Sequence, residues 1–485
     1  MQDLFSARRQ REITTECILK ELEKGFLTGP FNDIPFKTYR INPVGIVESK
    51  YSHKKRMIVD LSAPHEDDLN PSLNELIDKE EFSLQYVTID HAVKIIKRCG
   101  QGSWLCKTDI SDAFKLIPIA PSLWPFHGIQ WDNKYYFYTR LVFGSRSSPK
   151  IFDSLSTAIC WIATHHFNVR NILHLLDDFL TIDSPEFDAD RTMAILTLLF
   201  KQLGIPLASH KTVGPTHCLE YLGIILDSDK MEARLPTDKI KRICEIIQSF
   251  LNRKSCTKRQ LLSLLGHLNF ACRVIQPGRS FISYLISVST TVKKLHHHVF
   301  ISKECKLDLN MWLRFLSQWN GVSFFLNDEF TEAPDLHLYT YATNCAFGGI
   351  NGKKWFQGYF PVEILDNKTN YSMAYFELYP IVMAIAFRGH EWKRKRIVFH
   401  CDNLSTVSII NKGRSKIPVI MSLMRKLTWS AAIGNYTVQA KHILGVNNSI
   451  ADALSRFQMS RFRKIAPWAD QEATPCIPFA ELVMN

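Results

Sequence analysis

The chain has 485 residues, 46% hydrophobic and 22% charged, a balance that predicts two to four folded domains and excludes a disordered chain. No apolar run reaches the roughly 18 residues that span a bilayer, and the opening MQDLFSARRQREITTEC is too polar for a secretory leader. The twelve cysteines form no CxxC pair, so the expected setting is reducing, cytoplasmic or nuclear, without membrane contact.

Residues 11–25 predict one amphipathic helix, with Ile13, Cys17, Ile18, Leu22 and Phe26 at helical spacing. LTGPFNDIPF breaks it. PVGIVESK and KKRMIVDLS predict two strands joined at Tyr51-Ser52-His53. Residues 104–119 read as strand, turn and short helix, and KYYFYTRLVF as an aromatic strand. Ser148 is expected to cap a helix that has Pro149 at its first position. HLLDDFLTID then reads as a hairpin with Asp177 and Asp178 at its tip.

From Thr237 to about Leu285 the pattern is helical. Between Lys230 and Phe300 stand thirteen Lys or Arg against Glu232, Asp238 and Glu245, so this one segment carries +10 of the net +12. Such a block is a footprint for a polyanion, and a solvated helix face is the plainer alternative. Residues 301–334 look like a connection. From Leu336 a βββαβαβα order predicts a separate α/β domain, with strands LHLYTYA, GGINGKKWFQGYFP, KRIVFHCDN and YTVQAKHI.

Two adjacent aspartates in an apolar run need an explanation, because like charges in contact raise each other's pKa unless a cation offsets them. A turn is the plainer reading of the pair, because Asp is a common turn residue. A third candidate, Asp109, ends the apolar strand of WLCKTDISDAF. Three such carboxylates offer the hard oxygen donors that Mg²⁺ prefers. Two such ions suit phosphoryl transfer, whose catalysis is mostly positioning and charge neutralisation.

KTDISDAF, LVFGSRSSPKIF, LLDDFL, HKTVGPTHCLEYLGIIL and GHLNFACRVIQPGRSF occur in that order. Together they resemble the palm and thumb motifs of a reverse transcriptase. GPFNDIPFKTYRINPVGIV and GHLNFACRVIQPGR resemble the DIRS-like, tyrosine-recombinase retrotransposons more than retroviruses. The resemblance spans roughly residues 25–456. It implies that Asp109, Asp177 and Asp178 are catalytic ligands of two Mg²⁺ ions, with Mn²⁺ a possible substitute. Phe114 matches the aromatic gate against a ribose 2′-hydroxyl, and plain core is its simpler reading. Asp112 and Ala113 would offer backbone amides to the incoming triphosphate, with Arg56 gripping it and Lys54 and Lys55 nearby. A further lysine of that hairpin aligns with Lys50 or, alternatively, with Ser49. Phe143 and Gly144 match the loop supporting nucleotide and template, and Lys211 a basic residue behind the site. Tyr221, Leu222 and Gly223 match the turn that steadies the primer, and Arg273 and Arg279 fall to primer and template. The basic segment then matches a thumb that grips duplex phosphates.

The C-terminal stretch resembles a ribonuclease H module. Glu377 in YFELYP, Asp402 in FHCDN and Asp452 in SIADALSR match three of its catalytic carboxylates, with His442 expected to be structural. Where the family reads Thr-Asp-Ala-Ser, this chain reads Thr340-Tyr341-Ala342-Thr343. A phenol cannot bridge metal ions as a carboxylate does, so hybrid cleavage is expected to be lost or severely reduced. The basic run RGHEWKRKR could track hybrid phosphates or be a solvated helix end. LHHHVF reads as non-metal.

The expected fold is α/β (α+β): a right-hand polymerase fold of fingers, palm and thumb, a connection, and a ribonuclease H-like domain. The expected divisions are 1–36 (helical extension), 37–229 (fingers and palm), 230–300 (thumb), 301–334 (connection), 335–456 (ribonuclease H-like) and 457–485 (tail). The expected function is RNA-directed DNA polymerase. Its partners would be an RNA template, a DNA primer, the RNA–DNA hybrid and deoxynucleoside triphosphates; the oligomeric state is open. The chain reads as a fragment of a polyprotein or an isolated copy. Rival readings are a catalytically silent retroelement-derived nucleic-acid binder, supported by Tyr341, and an unrelated metal-dependent nuclease, which leaves the ordered motifs unexplained.

Overall fold

A central strand, Trp104–Asp109, organises the first half of the chain. In the computed structural model, which describes residues 3–48, 55–65, 69–319, 322–324, 338–393 and 395–484, the chain divides into two units at Tyr221/Leu222. In the first unit, Trp104–Asp109 lies between Asp178–Asp183 and Val213–Thr216 in a four-stranded sheet whose far edge is Ile172–Leu175. The helices Ser148–Phe167 and Ala189–Gln202 contribute to its core through Phe152, Ile159, Ala163, Leu196, Leu199 and Phe200, all nearly inaccessible. The hairpin of Val44–Glu48 and Lys55–Val59 pairs antiparallel, Val47 opposite Arg56. Its turn, with Ser49, Lys50 and Lys54, lies outside the described residues.

Two sequence expectations change here, and one is extended. LTGPF does end the preceding helix, which stops at Glu23, and Leu27–Phe31 is itself a strand paired with Lys134–Tyr138, so the early residues join a three-stranded sheet. Proline is tolerated because this strand is at the sheet edge. Ser148 is the first helical residue, with Ser147 in the capping position. The Ser148 hydroxyl instead donates to the Val142 carbonyl at 2.9 Å, tying the helix start to the preceding loop. The aromatic strand stops at Tyr138.

The second unit opens with the helices Thr237–Leu251, Lys258–Ala271 and Ser283–Thr290, then Lys303–Gln318 within the stretch expected to be a connection. A five-stranded sheet follows, in the order Lys354–Tyr359, Ala346–Asn351, Tyr339–Ala342, Arg396–Cys401, Thr437–His442. The first three strands are antiparallel and the last two join in parallel. Met373–Arg388 is apolar around most of its circumference, and twelve consecutive residues from Ala374 to Ile385 are buried, as expected for a helix covered on every side. Residues after Arg456 are part of this domain: Phe462, Ala466 and Ala469 are buried with Ile350, Trp355 and Leu454.

Candidate active site

Register brings the first carboxylates together. Asp109 pairs with Asp178 across adjacent antiparallel strands, and Leu175 pairs with Asp178 on its other side. Leu176 takes a left-handed conformation, φ +55°, so the hairpin turns within two residues. Asp177 therefore occupies the tip, whereas Asp178 is the first residue of its strand. The Ile110 amide donates to the Asp177 carbonyl at 3.0 Å and the Ser156 hydroxyl to the Leu176 carbonyl at 2.8 Å. The turn is thus fixed against the end of the Asp109 strand and against the 148–167 helix.

Two lysines answer the negative charge. Lys211 Nζ lies 2.8 Å and 2.9 Å from the two Asp109 oxygens. Lys107 Nζ lies 3.2 Å from Asp178 Oδ2. Burial still dominates: it pushes the Asp178 carboxyl up to about 6, against the pull of Lys107, and Asp109 and Asp177 add to the rise. Burial likewise raises Asp177, with the fields of Lys211 and Arg56 opposing. Asp178 Oδ1 is buried with no hydrogen-bond partner. An unpaired buried carboxylate oxygen is costly, and a hard divalent cation is the partner its chemistry fits.

These groups open into a cleft of about 910 Å³ lined by Asp109, Asp112, Ala113, Phe143, Asp177, Arg56 and Lys211, among others. Arg56 and Lys55 are exposed on their strand. Asp112, at φ +49°, opens the short turn Ala113–Leu116. Phe114 is buried, its ring 4.6 Å from the exposed Phe143 and 5.4 Å from Phe152. Gly144 has φ +103°, and a Cβ there would lie 2.8 Å from the Val59 carbonyl oxygen.

Of the residues expected at the primer end, Tyr221 is fully buried and close enough to Asp178 to feel its charge. Leu222 and Gly223 both have positive φ, +48° and +78°. They begin the second unit, as do Arg273 and Arg279 further on, both exposed. Of the expected first-unit residues, Arg56, Asp109, Asp112, Ala113, Phe143, Asp177 and Lys211 line one cleft, whereas Lys55, Phe114, Gly144, Asp178 and Tyr221 are not among its lining residues.

The second carboxylate cluster lies within the five-stranded domain. Glu377 is buried, its Oε1 accepting from the Ala342 amide at 3.0 Å. Burial, reinforced by Asp402, pushes its carboxyl well above the usual range. Glu377, Cys401 and Asp402 have ligand atoms all within 4.8 Å of one another, the one such group among the described residues. Asp402 is also raised, first by burial, and its Oδ1 is buried without a partner. Asp452 behaves oppositely. Arg456 Nε and Arg461 Nη1 each donate to one of its oxygens at 2.7 Å, and these bonds outweigh burial to hold it low. Tyr341 sits among these groups: burial raises its phenol, Asp402, Asp452 and Glu377 add to the rise, and Arg456 hydrogen-bonds it. His442 Nε2 lies 3.2 Å from the Asp402 carbonyl oxygen, a structural contact. In the basic run 388–396, Lys393 and Lys395 are exposed, Trp392 is buried and Arg388 pairs with Glu391.

Sequence reasoning missed several members. Lys107 stands two residues before Asp109 on the same strand face, and the two-residue strand period was the available signal. Asn74 had none. Its amide nitrogen donates to the Gly144 carbonyl and the Ser62 hydroxyl, both at 2.8 Å, and its oxygen accepts from the Arg146 amide at 2.8 Å.

Residues 32–226 match the family described as reverse transcriptase (RNA-dependent DNA polymerase). Polyprotein P3 of Commelina yellow mottle virus is 22% identical over 398 residues, which cover 79% of this chain and 19% of that polyprotein. The Pro-Pol polyprotein of Simian foamy virus type 1 is 26% identical over 200 residues, 41% of this chain and 16% of its own. The Retrovirus-related Pol polyprotein from transposon opus of Drosophila melanogaster is 21% identical over 370 residues, 74% and 34% respectively. The chain thus spans between 16% and 34% of the length of these relatives. Among solved structures, the foamy viral protease-reverse transcriptase in complex with RNA/DNA hybrid aligns over 91% of this chain and 54% of that one, at 17% identity and a TM-score of 0.48. Residues 32–226 are thus similar to the reverse transcriptase family, and the relatives this chain resembles are retroelement and viral polyproteins.

Proposed function

We propose that the chain is an RNA-directed DNA polymerase of a DIRS-like retroelement, extending a DNA primer on an RNA or DNA template. The observation that carries this reading is the Asp109–Asp178 register pair, with Asp177 at the adjoining tip, facing a cleft that also holds Arg56 and Lys211. Asp109, Asp177 and Asp178 would hold two Mg²⁺ ions, and Mn²⁺ suits the same donors. Bound there, the metal supplies charge neutralisation and activation of the attacking primer oxygen. Lys211 and Lys107 orient the Asp109 and Asp178 carboxylates through their close contacts. Arg56 supplies positive charge to the triphosphate, Lys55 adds to it, and the backbone of Asp112 and Ala113 lies along the same wall. Phe143 lines the cleft, and Phe114, packed against it and against Phe152, would be the ring that disfavours an extra 2′-hydroxyl.

Primer extension on an RNA template with Mg²⁺ tests this, beside an Asp177→Asn/Asp178→Asn control. Extension by the parent chain that drops at least ~10³-fold in the control is expected, since the chemistry depends on electrostatic stabilisation at these oxygens. Extension that persists in the control would overturn the assignment.

Hybrid cleavage is the activity we read as lost. Tyr341 brings a phenol where a metal-bridging carboxylate would be needed, and both oxygens of Asp452 are engaged by arginines. A labelled RNA strand in the same reaction should stay intact, and Tyr341→Asp should raise its cleavage. Cleavage by the parent chain that Tyr341→Asp does not raise would refute this. Tyr341 supports a second reading, a catalytically silent nucleic-acid binder; hybrid binding without nucleotide incorporation would select it.

A further inference from the structure

The family match begins at residue 32, yet one wall of the cleft is built by residues before it. Cys17, Lys20 and Glu21, on the helix Arg11–Glu23, line the same space as Asp109 and Asp112. Two ion pairs run from this helix to the turn that follows Asp109. Lys24 Nζ, just past the helix end, lies 2.5 Å from Asp112 Oδ2. Glu21 Oε2 lies 3.3 Å from Lys115 Nζ. Asp112 and Lys115 bracket Ala113 and Phe114, so the turn is held at both ends by one helix.

The two ties differ in kind. Lys24 and Asp112 are about half exposed, and such pairs are weak. The Lys115 side chain is only 5% exposed, with its ammonium 3.9 Å from the centre of the Tyr138 ring. Glu21 is its anionic partner, and a buried cation deprived of its partner must move or lose its proton. Movement of the Lys115 side chain would shift the short turn Ala113–Leu116 that carries Phe114. The helix itself is a firm anchor: Arg11 pairs with Asp132 at 2.6 Å, Trp131 Nε1 donates to the Thr15 hydroxyl at 2.9 Å, and Thr14 and Ile18 are buried.

We propose that the N-terminal helix is a working part of the nucleotide pocket, with Glu21 and Lys24 as positioning residues that hold the 112–115 turn and so set nucleotide affinity and sugar selection. This rests on the polymerase reading above.

The test uses the full chain and single-nucleotide incorporation with Mg²⁺, comparing deoxy- with ribonucleotides. Lys24→Ala should raise KM for the deoxynucleotide about three- to fivefold with kcat nearly unchanged, the range expected for a half-exposed pair, and Lys24→Arg should restore it. Glu21→Gln should lower the preference for deoxy- over ribonucleotides about tenfold, because the buried Lys115 loses its counter-charge. Primer–template affinity should not change. Parental KM and parental sugar preference in both variants would overturn the proposal. Should the parent chain extend no primer, the polymerase reading fails by itself, and titration with a fluorescent deoxynucleotide and Mg²⁺ still decides the inference. Weaker binding by Lys24→Ala supports it; equal binding, or none by the parent, overturns it. If Glu21→Gln does not fold, the half-exposed Lys24 variant decides alone.

Discussion

Gly144 shows how a single backbone angle fixes the wall of the cleft. Its φ of +103° excludes most side chains, and an added Cβ would press within 2.8 Å of the Val59 carbonyl. Gly144→Ala should therefore destabilise the first unit by about 1–3 kcal/mol, the usual magnitude of such strain. Urea denaturation measures this, and a variant as stable as the parent would refute the account. At the same scale, the carboxylates of the palm were readable from their adjacency in LLDDFL, whereas Asn74 was not. Asn74 is seventy positions from Gly144, and only folding joins its amide to that loop.

At the scale of elements, the helix Lys303–Gln318 meets the helix Pro418–Gly434 through a buried ionisable pair. Asp308 and Arg425 are 0% and 4% exposed, and their closest approach is 3.5 Å. Neither Asp308 oxygen has a well-formed hydrogen bond, so the pair is incompletely satisfied. Burial, only partly offset by Arg425, pushes the Asp308 carboxyl up to about 7. The sign follows from proton binding. The folded state holds a proton that the unfolded chain, with an ordinary Asp near ~3.9, releases. Asp308 thus contributes stability that is fully present below pH ~4 and is lost as pH rises through about 7. Relative to Asp308→Asn, the parent should lose roughly 1.4 kcal/mol per pH unit across that window. Denaturation of both proteins at several pH values checks it, and a constant difference between them would sink the idea. The helical period of residues 303–318 is present in the sequence, but its partner is not, because a helix face records that it is covered and not by what.

For the whole chain, charge is unevenly placed. The 230–300 segment carries +10 of the +12, with Arg273, Arg279, Arg253 and Lys254 exposed. If this face holds duplex phosphates, affinity for a primer–template must fall steeply with salt, because each contact releases counterions. Binding should weaken on the order of 10³-fold between about 50 and about 200 mM salt, the drop for about six phosphate contacts. Fluorescence anisotropy over a salt series measures it, and a loss of less than about tenfold would remove the segment from the interface.

What the sequence determined by itself was whatever short-range pattern encodes: strand and helix periods, the Asp-Asp tip, the substitution at Tyr341 and the order of motifs that resembles a reverse transcriptase. The two-residue strand period fixes which side chains share a face, and that rule is local. Tertiary structure alone decided the rest. It placed LTGPF, the stretch that follows the helix end, in an edge strand because its partner, Lys134–Tyr138, lies over a hundred positions away. It made residues beyond Arg456 part of a core, with Phe462 and Ala466 packed on Trp355 and Ile350. It tied Glu21 and Lys24 to the turn after Asp109. In each case the deciding energy is a contact between distant segments, and burial then converts an ordinary carboxylate or lysine into a group whose partner matters.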